Sequence, residues 1–341
     1  MAGEPQRTFH LVAEHDGLTL AAALKRLAPK LSWSQARKLL AGRRVQVNGN
    51  LCLDEERKVK AGDVVRLSSH ALAPPATADD VKLVYVDEHL VVVQKPAGVT
   101  TLRHREETDL PQRRKQLQPT LDELLPRLLA RHLGLRYTTP TRQGGERHRG
   151  RSLQRDVRLA LHPVHRLDRD TSGLLVFART RGAEEKLIHM FARHQVQRAY
   201  VAVVQGRIDR ERTIESWLVR DRGDGLRGSS PLGEAAEGAQ RAVTHVRPME
   251  QLANCSVVEC RLETGRTHQI RIHLSEAGHP LCGEKTYTHA PGEPARADAS
   301  GAPRQALHSA ELALSHPISG QALRFRMALP ADLKQWLLRM R

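Results

Sequence analysis

The stretch PVHRLDRDTSGLLVFA, residues 163–178, is the densest polar cluster in a part of the chain that otherwise has the pattern of a folded core. Its second half, 174–178, is an apolar run that suits a buried strand, so Asp168 is expected in the loop that enters a sheet. The plainest interpretation is that residues 168–172 only build a turn. The alternative is that Asp168 places a reactive carboxylate at the edge of the sheet.

A second polar stretch, TGRTHQIRIH at residues 264–273, favours the chemical interpretation. If this stretch is extended, alternate residues share one face of a strand. One face would then offer several hydrogen-bond donors close together. The polar side chains concerned are those of Arg266, His268, Gln269, Arg271 and His273.

Two apolar runs upstream predict a hairpin of buried strands. VKLVYV at 81–86 and LVVVQ at 90–94 flank the polar tripeptide DEH, which is typical of two strands joined by a tight turn. The KPAG sequence at 95–98 then predicts a further turn, because proline and glycine both favour turn geometry.

Two short helices and another hairpin are predicted near the amino terminus. Leucines recur at helical spacing over residues 20–27, and Ser32 followed by Gln35 has the form of a capping box. Asn and Gly at 48–49, between alternating apolar residues, predict a hairpin turn. Basic residues crowd the second helix and its end: Arg37, Lys38, Arg43 and Arg44. In isolation, such a charge run is usually a solvated surface.

The composition indicates a folded protein with a polyanionic partner. At 341 residues the chain is long enough for about two domains. It carries 54 Lys and Arg against 38 Asp and Glu, which gives a formal net charge of +16. Aromatic residues make up only 3% of the chain, which disfavours a groove that stacks successive bases. Charge and shape must therefore provide most of the binding.

Cysteine usage and hydropathy bear on the compartment. The four cysteines at 52, 255, 260 and 282 show no paired spacing, which disfavours a disulfide framework and a zinc ribbon and fits a reducing cytosol. The sequence has no apolar run of about 18 residues and no apolar signal-peptide core. We expect a cytoplasmic protein with no membrane partner.

Composition shifts along the chain predict its domain organisation. Small residues and prolines at 68–80 indicate a linker between a module at 16–67 and a domain at 81–341. Within this domain, residues 103–155 form a basic insertion with one helical segment near Leu121–His132. Residues 288–303 are predicted to form a loose loop.

Both parts of the chain resemble known families. LSWSQARKLLAGRRVQVNG followed by AGDVVRL is similar to the S-four-like RNA-binding module first described in a small-subunit ribosomal protein. The remainder resembles the RluA-type RNA pseudouridine synthases. The motifs that carry this resemblance, in the family's order, are KPAGV at 95–99, HRLDRDTSGLLVFA at 165–178, RAYVAVVQG at 198–206, LETGRTHQIRIHLSEAGHPLCGEKTY at 262–287 and ALHSAELALSHP at 306–317.

The resemblance implies a fold and a set of catalytic residues. The fold is an α+β pseudouridine synthase fold with a mainly antiparallel central sheet and a catalytic cleft, preceded by a small α/β RNA-binding module. Asp168 matches the aspartate that attacks uridine, either at the ribose anomeric carbon or at carbon six of the base. Arg271 matches the arginine that forms a salt bridge with this aspartate, and Arg266 is the less favoured candidate for that role. Tyr200 matches a tyrosine that stacks near the target base.

The resemblance also implies RNA contacts. Arg166 matches a position that fills the gap left when the target uridine is flipped out, and flipping is required because a stacked base is out of reach. Arg266, His268 and Gln269 are expected to contact the substrate, and the basic residues of the amino-terminal module are expected to grip RNA backbone. Ribosomal RNA is favoured over transfer RNA. The implied enzyme is a monomer that uses no cofactor and no metal.

The chain departs from the family pattern at two positions. Arg198 stands where the family usually has lysine before the tyrosine, which keeps the positive charge. Glu284 replaces the usual aspartate in the GD-x-x-Y segment, which is expected to alter a structural hydrogen bond.

Two other functions fit the same residues. A non-catalytic RNA-binding or ribosome-assembly factor would keep the fold without turnover. A hydrolase would use Asp168 and His165 as acid and base and would leave abasic RNA and free uracil, whereas isomerisation leaves the mass of the RNA unchanged.

Overall fold

The structure is a computed structural model in which the chain forms two compact units. It describes residues 7–47, 50–68, 71–72, 75, 77–103, 117–137, 159–223, 225–294 and 297–341. The first unit consists of residues 1–76 with 105–119 and 223–225, and the second contains the rest. The predicted module at 16–67 lies within the first unit.

The first unit is a four-stranded antiparallel sheet with two helices. Its elements are β1 (Arg7–His10), α1 (Leu20–Leu27), α2 (Trp33–Ala41), β2 (Val45–Val47), β3 (Asn50–Leu51) and β4 (Val64–Leu67). The predicted capping box is present at the start of α2, where the Ser32 hydroxyl accepts from the Gln35 amide at 3.1 Å and the Gln35 side chain accepts from the Ser32 amide at 2.6 Å. The turn predicted at 48–49 lies outside the described residues, but the strands on either side of it pair antiparallel.

Eleven strands of the described chain form the single large sheet of the second unit. They are β5 (Lys82–Val86), β6 (Leu90–Lys95), β7 (His162–Pro163), β8 (Ser172–Ala178), β9 (Gln197–Gln205), β10 (Arg212–Val219), β11 (Gly228–Ser229), β12 (Gln240–Gln251), β13 (Cys255–Leu262), β14 (Leu307–Ser315) and β15 (Ala322–Arg326). The main order is β11-β10-β12-β13-β9-β14-β8-β6-β5, with β15 beside β14 and β7 beside β8.

Pairing in this sheet is antiparallel except between β14 and β8, which run parallel. The predicted hairpin is confirmed: β5 and β6 pair antiparallel, and the turn at KPAG follows β6. These observations confirm the predicted α+β class with a mainly antiparallel central sheet.

Four helices of the described chain belong to the second unit. They are α3 (Leu121–His132), α4 (Arg181–Ala192), α5 (Gln269–Glu276) and α6 (Ala331–Met340). Helix α3 is the helical segment predicted within the basic insertion, and it begins with the acidic residues that favour a helix amino terminus. Residues 104–116 and 138–155 of the insertion lie outside the described residues.

Strand β8 is the centre of the core of the second unit. All seven of its residues are buried, as the apolar run 174–178 predicts. Its second residue, Gly173, has φ of +120°, and a Cβ atom there would overlap the backbone of Ser309 in β14. Glycine is therefore required where β8 and β14 come together.

The possibility that the stretch TGRTHQIRIH is extended is wrong. Residues from Gln269 onward form helix α5, which ends at Glu276. The alternation of Ile270, Ile272 and Leu274 with polar residues mimics a strand. Every residue from Gln269 to Ser275 is nevertheless buried, so this helix has no solvent face and no 3.6-residue pattern.

Candidate active site

Asp168 lies in the loop that enters β8, as predicted, and the two residues beside it are anchored to the segment 95–101. The Leu167 amide donates to the Thr101 hydroxyl at 3.1 Å, and that hydroxyl donates to the Leu167 carbonyl at 2.8 Å. The Lys95 ammonium donates to the Arg169 carbonyl at 2.9 Å. Backbone contacts on both sides of Asp168 therefore fix where its carboxylate stands.

Lys95 is an internal anchor of this loop and is fully buried. Besides the Arg169 carbonyl, its ammonium donates to the carbonyls of Pro96 at 3.0 Å and Val99 at 2.8 Å. Burial lowers the pKa of Lys95 to about 7. One side chain thus joins the turn after β6 to the loop of Asp168.

Arg271 in the first turn of α5 connects two carboxylates. Its Nη1 donates to Asp168 Oδ2 at 3.3 Å, and its Nε and Nη2 form a fork with Glu284 at 2.8 and 2.7 Å. Burial disfavours the charge of Arg271, but Glu284 and Asp168 outweigh burial and raise the pKa of Arg271. The same fork holds the pKa of the buried Glu284 carboxyl below its usual value despite burial.

Glu284 is a site residue that the sequence analysis noted only as a departure from the family pattern. Its Oε1 also accepts from the backbone amides of Lys285 at 3.0 Å and Thr286 at 2.9 Å. These bonds fix the carboxylate, which in turn fixes the plane of the Arg271 guanidinium. The spacing between Glu284 and Arg271 carries no helical or strand period, so sequence alone gives no sign of the pair.

His268 approaches Asp168 from the amino-terminal end of α5. Its backbone is left-handed, with φ of 61°, and its Nε2 lies 3.8 Å from Asp168 Oδ1. The other ring nitrogen, Nδ1, shares a hydrogen bond of 2.8 Å with the hydroxyl of Tyr287. Burial lowers the pKa of His268 to about 4, and burial raises the pKa of Tyr287 to about 12. Both groups are therefore neutral near pH 7.

Tyr200 in β9 is buried beside the same cavity. Burial raises the pKa of its hydroxyl, and the negative charge of Asp168 adds to the rise. Arg198 and a hydrogen bond with the Ser309 side chain oppose it. The structure thus brings Asp168, Arg271 and Tyr200 to one cavity of about 460 Å³. That volume falls within the range of about 300–1,000 Å³ for small-molecule sites.

The other predicted substrate contacts lie at different depths. Arg166 and Arg266 are exposed and line the cavity, and Arg266 Nε donates to the Arg241 carbonyl at 3.1 Å. Gln269 is buried, and its amide makes four hydrogen bonds inside the protein. These bonds hold the loop ahead of α5, and contact between Gln269 and RNA stays a prediction.

His165 holds a structural position against the cavity wall. Its Nε2 accepts from the Val176 amide at 3.1 Å, and its ring stacks on Phe191 with centroids 4.6 Å apart. Burial lowers the pKa of His165 to about 3. A nitrogen occupied by a backbone amide does not exchange protons with a substrate, which disfavours the hydrolase alternative.

The four basic residues of the first unit that are predicted to contact RNA lie in α2 and just after its end. Arg37 and Lys38 are exposed, whereas Arg43 and Arg44 are half-buried. Arg37 pairs with Glu55 at 3.0 Å, and Arg44 Nε donates to the Ser68 carbonyl at 2.8 Å. Their contact with RNA stays a prediction.

The described residues contain neither a cluster suited to a metal ion nor a helix suited to a membrane. Within these ranges, no group of three His, Cys, Asp or Glu side chains is arranged to hold a metal ion. No helix in the described part of the chain has both the length and the apolar character needed to cross a membrane.

Comparison with known proteins gives matches over nearly the whole chain. The family model for RNA pseudouridylate synthase matches residues 89–276, and the model for the S4 domain matches residues 19–65. The chain is 33% identical over 336 residues to the ribosomal large subunit pseudouridine synthase D of Zymomonas mobilis, covering 97% of this chain and 96% of the relative. It is 30% identical to the protein of that name in Nitrosomonas europaea, covering 97% and 87%.

A solved structure supports the fold. The human RNA pseudouridylate synthase domain containing 4 superposes with a TM-score of 0.54 at 22% identity, covering 76% of this chain and 92% of that one. Together the matches define an RNA-modifying enzyme with its own RNA-binding domain. The chain belongs to the RNA pseudouridylate synthase family, whose members isomerise uridine to pseudouridine within RNA. The predicted class of enzyme and the resemblance to the S-four-like module are therefore confirmed.

Proposed function

We propose that this enzyme isomerises specific uridines of large-subunit ribosomal RNA, with Asp168 as the nucleophile. The observation that carries the proposal is the part-buried Asp168–Arg271 contact of 3.3 Å at the wall of a cavity of about 460 Å³. The substrate is proposed because the relatives that match the whole chain are named for the large ribosomal subunit. Transfer RNA is the second candidate substrate.

In this proposal the Asp168 carboxylate attacks the flipped uridine at the anomeric carbon of the ribose or at carbon six of the base. The bond from nitrogen one of uracil to the anomeric carbon breaks, and carbon five of the turned uracil bonds to the same ribose carbon. The bond between Asp168 and the substrate then breaks, which returns the free carboxylate. The proton leaves carbon five and nitrogen one gains a proton, so no redox partner is needed. Arg271 pairs with Asp168 and orients its carboxylate for the attack.

Neighbouring residues have proposed tasks in the same reaction. Tyr200 packs beside the target base as a neutral phenol. Arg166 fills the space that the flipped uridine leaves in the RNA. Flipping the base costs a few kcal/mol, and this cost is lowest in loops. Arg266 and His268 contact the substrate at the cavity. We propose that the enzyme acts as a cytoplasmic monomer, and light scattering of the purified protein would reveal a dimer if one forms.

The proposal predicts tritium release from RNA labelled at carbon five of uridine. The measurement compares the purified protein with Asp168→Asn on unmodified large-subunit ribosomal RNA. We expect release by the wild type and at least a thousandfold loss in Asp168→Asn, because removing a covalent nucleophile removes the main route. RNA binding by both proteins with release by neither would support the non-catalytic alternative. Free uracil among the products would support a hydrolase.

A further inference from the structure

Arg198 is a buried cation whose charge the nucleophile does not use. Its side chain extends from β9, two residues before Tyr200, and the residue is only 8% exposed. Asp168 takes its counter-charge from Arg271, at 3.3 Å. Among the residues that the structure describes, no carboxylate forms an ion pair with Arg198.

The hydrogen-bonding capacity of Arg198 is also largely unused by the protein. Its Nη2 makes a long contact of 3.4 Å with the Glu263 carbonyl, and its Nε has no acceptor within the described ranges. The guanidinium carbon lies 5.5 Å from the centroid of the Phe191 ring. This cation–π contact offsets part of the burial, but a ring face gives the Nε–H no acceptor.

The surroundings of Arg198 keep the guanidinium at the cavity. Arg198 and Gly265 both line the cavity that holds Asp168. A Cβ atom added to Gly265 would lie 2.6 Å from Arg198 Nη1, so the missing side chain leaves the space that the guanidinium uses. A buried charge without a partner is costly, and a planar fork of donors matches an oxyanion.

We propose that Arg198 binds a backbone phosphate of the RNA next to the flipped uridine. This inference rests on the proposed function and adds a subsite to its cavity. A phosphate carries a full negative charge in every state of the reaction, whereas the uracil of the bound substrate is neutral. Only the phosphate therefore compensates the Arg198 charge as soon as the RNA binds.

Four variants test this subsite. Arg198→Gln removes the charge, and Arg198→Lys retains it without the fork. Gly265→Ala leaves Arg198 in the sequence but displaces the end of its flexible side chain. Arg210→Gln is the control, because Arg210 is an exposed arginine of the same unit that does not line the cavity. The substrate is transcribed large-subunit ribosomal RNA with tritium at carbon five of uridine.

For Arg198→Gln we expect KM to rise about ten- to a hundredfold with kcat within about twofold of the wild type. The slope of log affinity against log salt should become shallower by about 0.7–0.9, as for one lost phosphate contact. Arg198→Lys should retain most of that slope, Gly265→Ala should raise KM to a smaller extent, and Arg210→Gln should keep the wild-type KM.

A fall in kcat with unchanged KM and salt slope would overturn the inference, since it would place the guanidinium on the base. Unchanged kinetics in both Arg198→Gln and Gly265→Ala would also overturn it. If circular dichroism shows that Arg198→Gln does not fold, the KM of Gly265→Ala decides: a rise supports the phosphate contact, and an unchanged KM overturns it. If the wild type releases no tritium, the proposed function has failed, while salt titration of RNA binding by the same variants still tests the phosphate contact.

Discussion

Arg271 is held more firmly by Glu284 than by Asp168. Two bonds of 2.7 and 2.8 Å join it to Glu284, against one contact of 3.3 Å to Asp168. Glu284 thus sets the position of the guanidinium, and Asp168 is paired without being clamped in a fork. The proposed role of Asp168 as nucleophile requires this freedom, because the carboxylate must leave the arginine to form a bond with the substrate.

Replacing Glu284 by glutamine should weaken both stability and turnover. Glu284→Gln keeps the shape of the side chain but leaves the Arg271 charge with only the longer contact, so we expect the free energy of unfolding to fall by about 3 kcal/mol. Urea denaturation measures this loss, and single-turnover tritium release measures the rate. Glu284→Asp is the matched control that keeps the charge. Wild-type stability in Glu284→Gln would refute the role of the fork.

Sequence analysis predicted Asp168 as the nucleophile and Arg271 as its partner, but it did not predict the group that positions Arg271. Asp168 and Arg271 lie in motifs that resemble a known family, and the structure brings them together. Glu284 lies thirteen residues after Arg271, beyond the end of α5. Only the tertiary fold, which returns the chain past the first turn of α5, creates that contact.

The element that sequence reasoning misjudged is helix α5. Strands β5, β6 and β8 follow from apolar runs because a run of that length fits a buried strand. In α5 the alternating isoleucines suggest a strand, while burial on every side removes the helical pattern. Its polar residues bond inward instead: His273 shares hydrogen bonds with Ser216 at 3.0 Å and Thr244 at 2.9 Å.

His273 should make stability depend on pH. Burial lowers its pKa to about 4, below the value near 6.5 of an unfolded chain. The unfolded state therefore binds the proton more readily, and His273 stabilises the fold fully above pH 6.5 and loses this effect as pH falls towards 4. His273 contributes at most about 1.4 kcal/mol per pH unit to the slope of the free energy of unfolding against pH.

Urea denaturation between pH 4.5 and 7.5 checks this prediction. In His273→Gln the free energy of unfolding should depend less steeply on pH than in the wild type. The difference should correspond to at most one proton bound on unfolding. The control is His132→Gln, which changes an exposed histidine at the end of α3 in the same unit. Equal slopes for the wild type and His273→Gln would contradict the prediction.

At the scale of the whole molecule, the fold is divided between two units. The chain carries a net charge of +16, and its S4 domain presents exposed basic residues on α2. The sequence predicted α1, α2 and the β2–β3 hairpin of the first unit and β5, β6, β8 and α3 of the second, because each of these elements is specified locally. It did not predict the strand order of the large sheet, because neighbours such as β8 and β14 lie more than a hundred residues apart.

Removing basic residues of the S4 domain should weaken RNA binding without touching the chemistry. In the double variant Arg37→Gln/Lys38→Gln we expect kcat to be retained and the salt slope of RNA affinity to become shallower by about 1 for each lost phosphate contact. The matched control, Arg26→Gln/Lys30→Gln, removes two exposed charges around the end of α1. Filter binding at several salt concentrations measures the slopes, and equal slopes for all three proteins would exclude α2 from the contact.

The parallel pairing of β8 with β14 determines how early the enzyme can fold during its synthesis. Strand β14 fills the place between β8 and β9 but begins only at Leu307. Before β14 has been synthesised, β8 and β9 each lack the strand that lies between them, so each has an unpaired edge. The loop of Asp168 enters β8 and therefore lies beside one of these edges. Such long-range pairing forms late. The ribosome must therefore have synthesised the chain through β14 before the synthase can act on RNA.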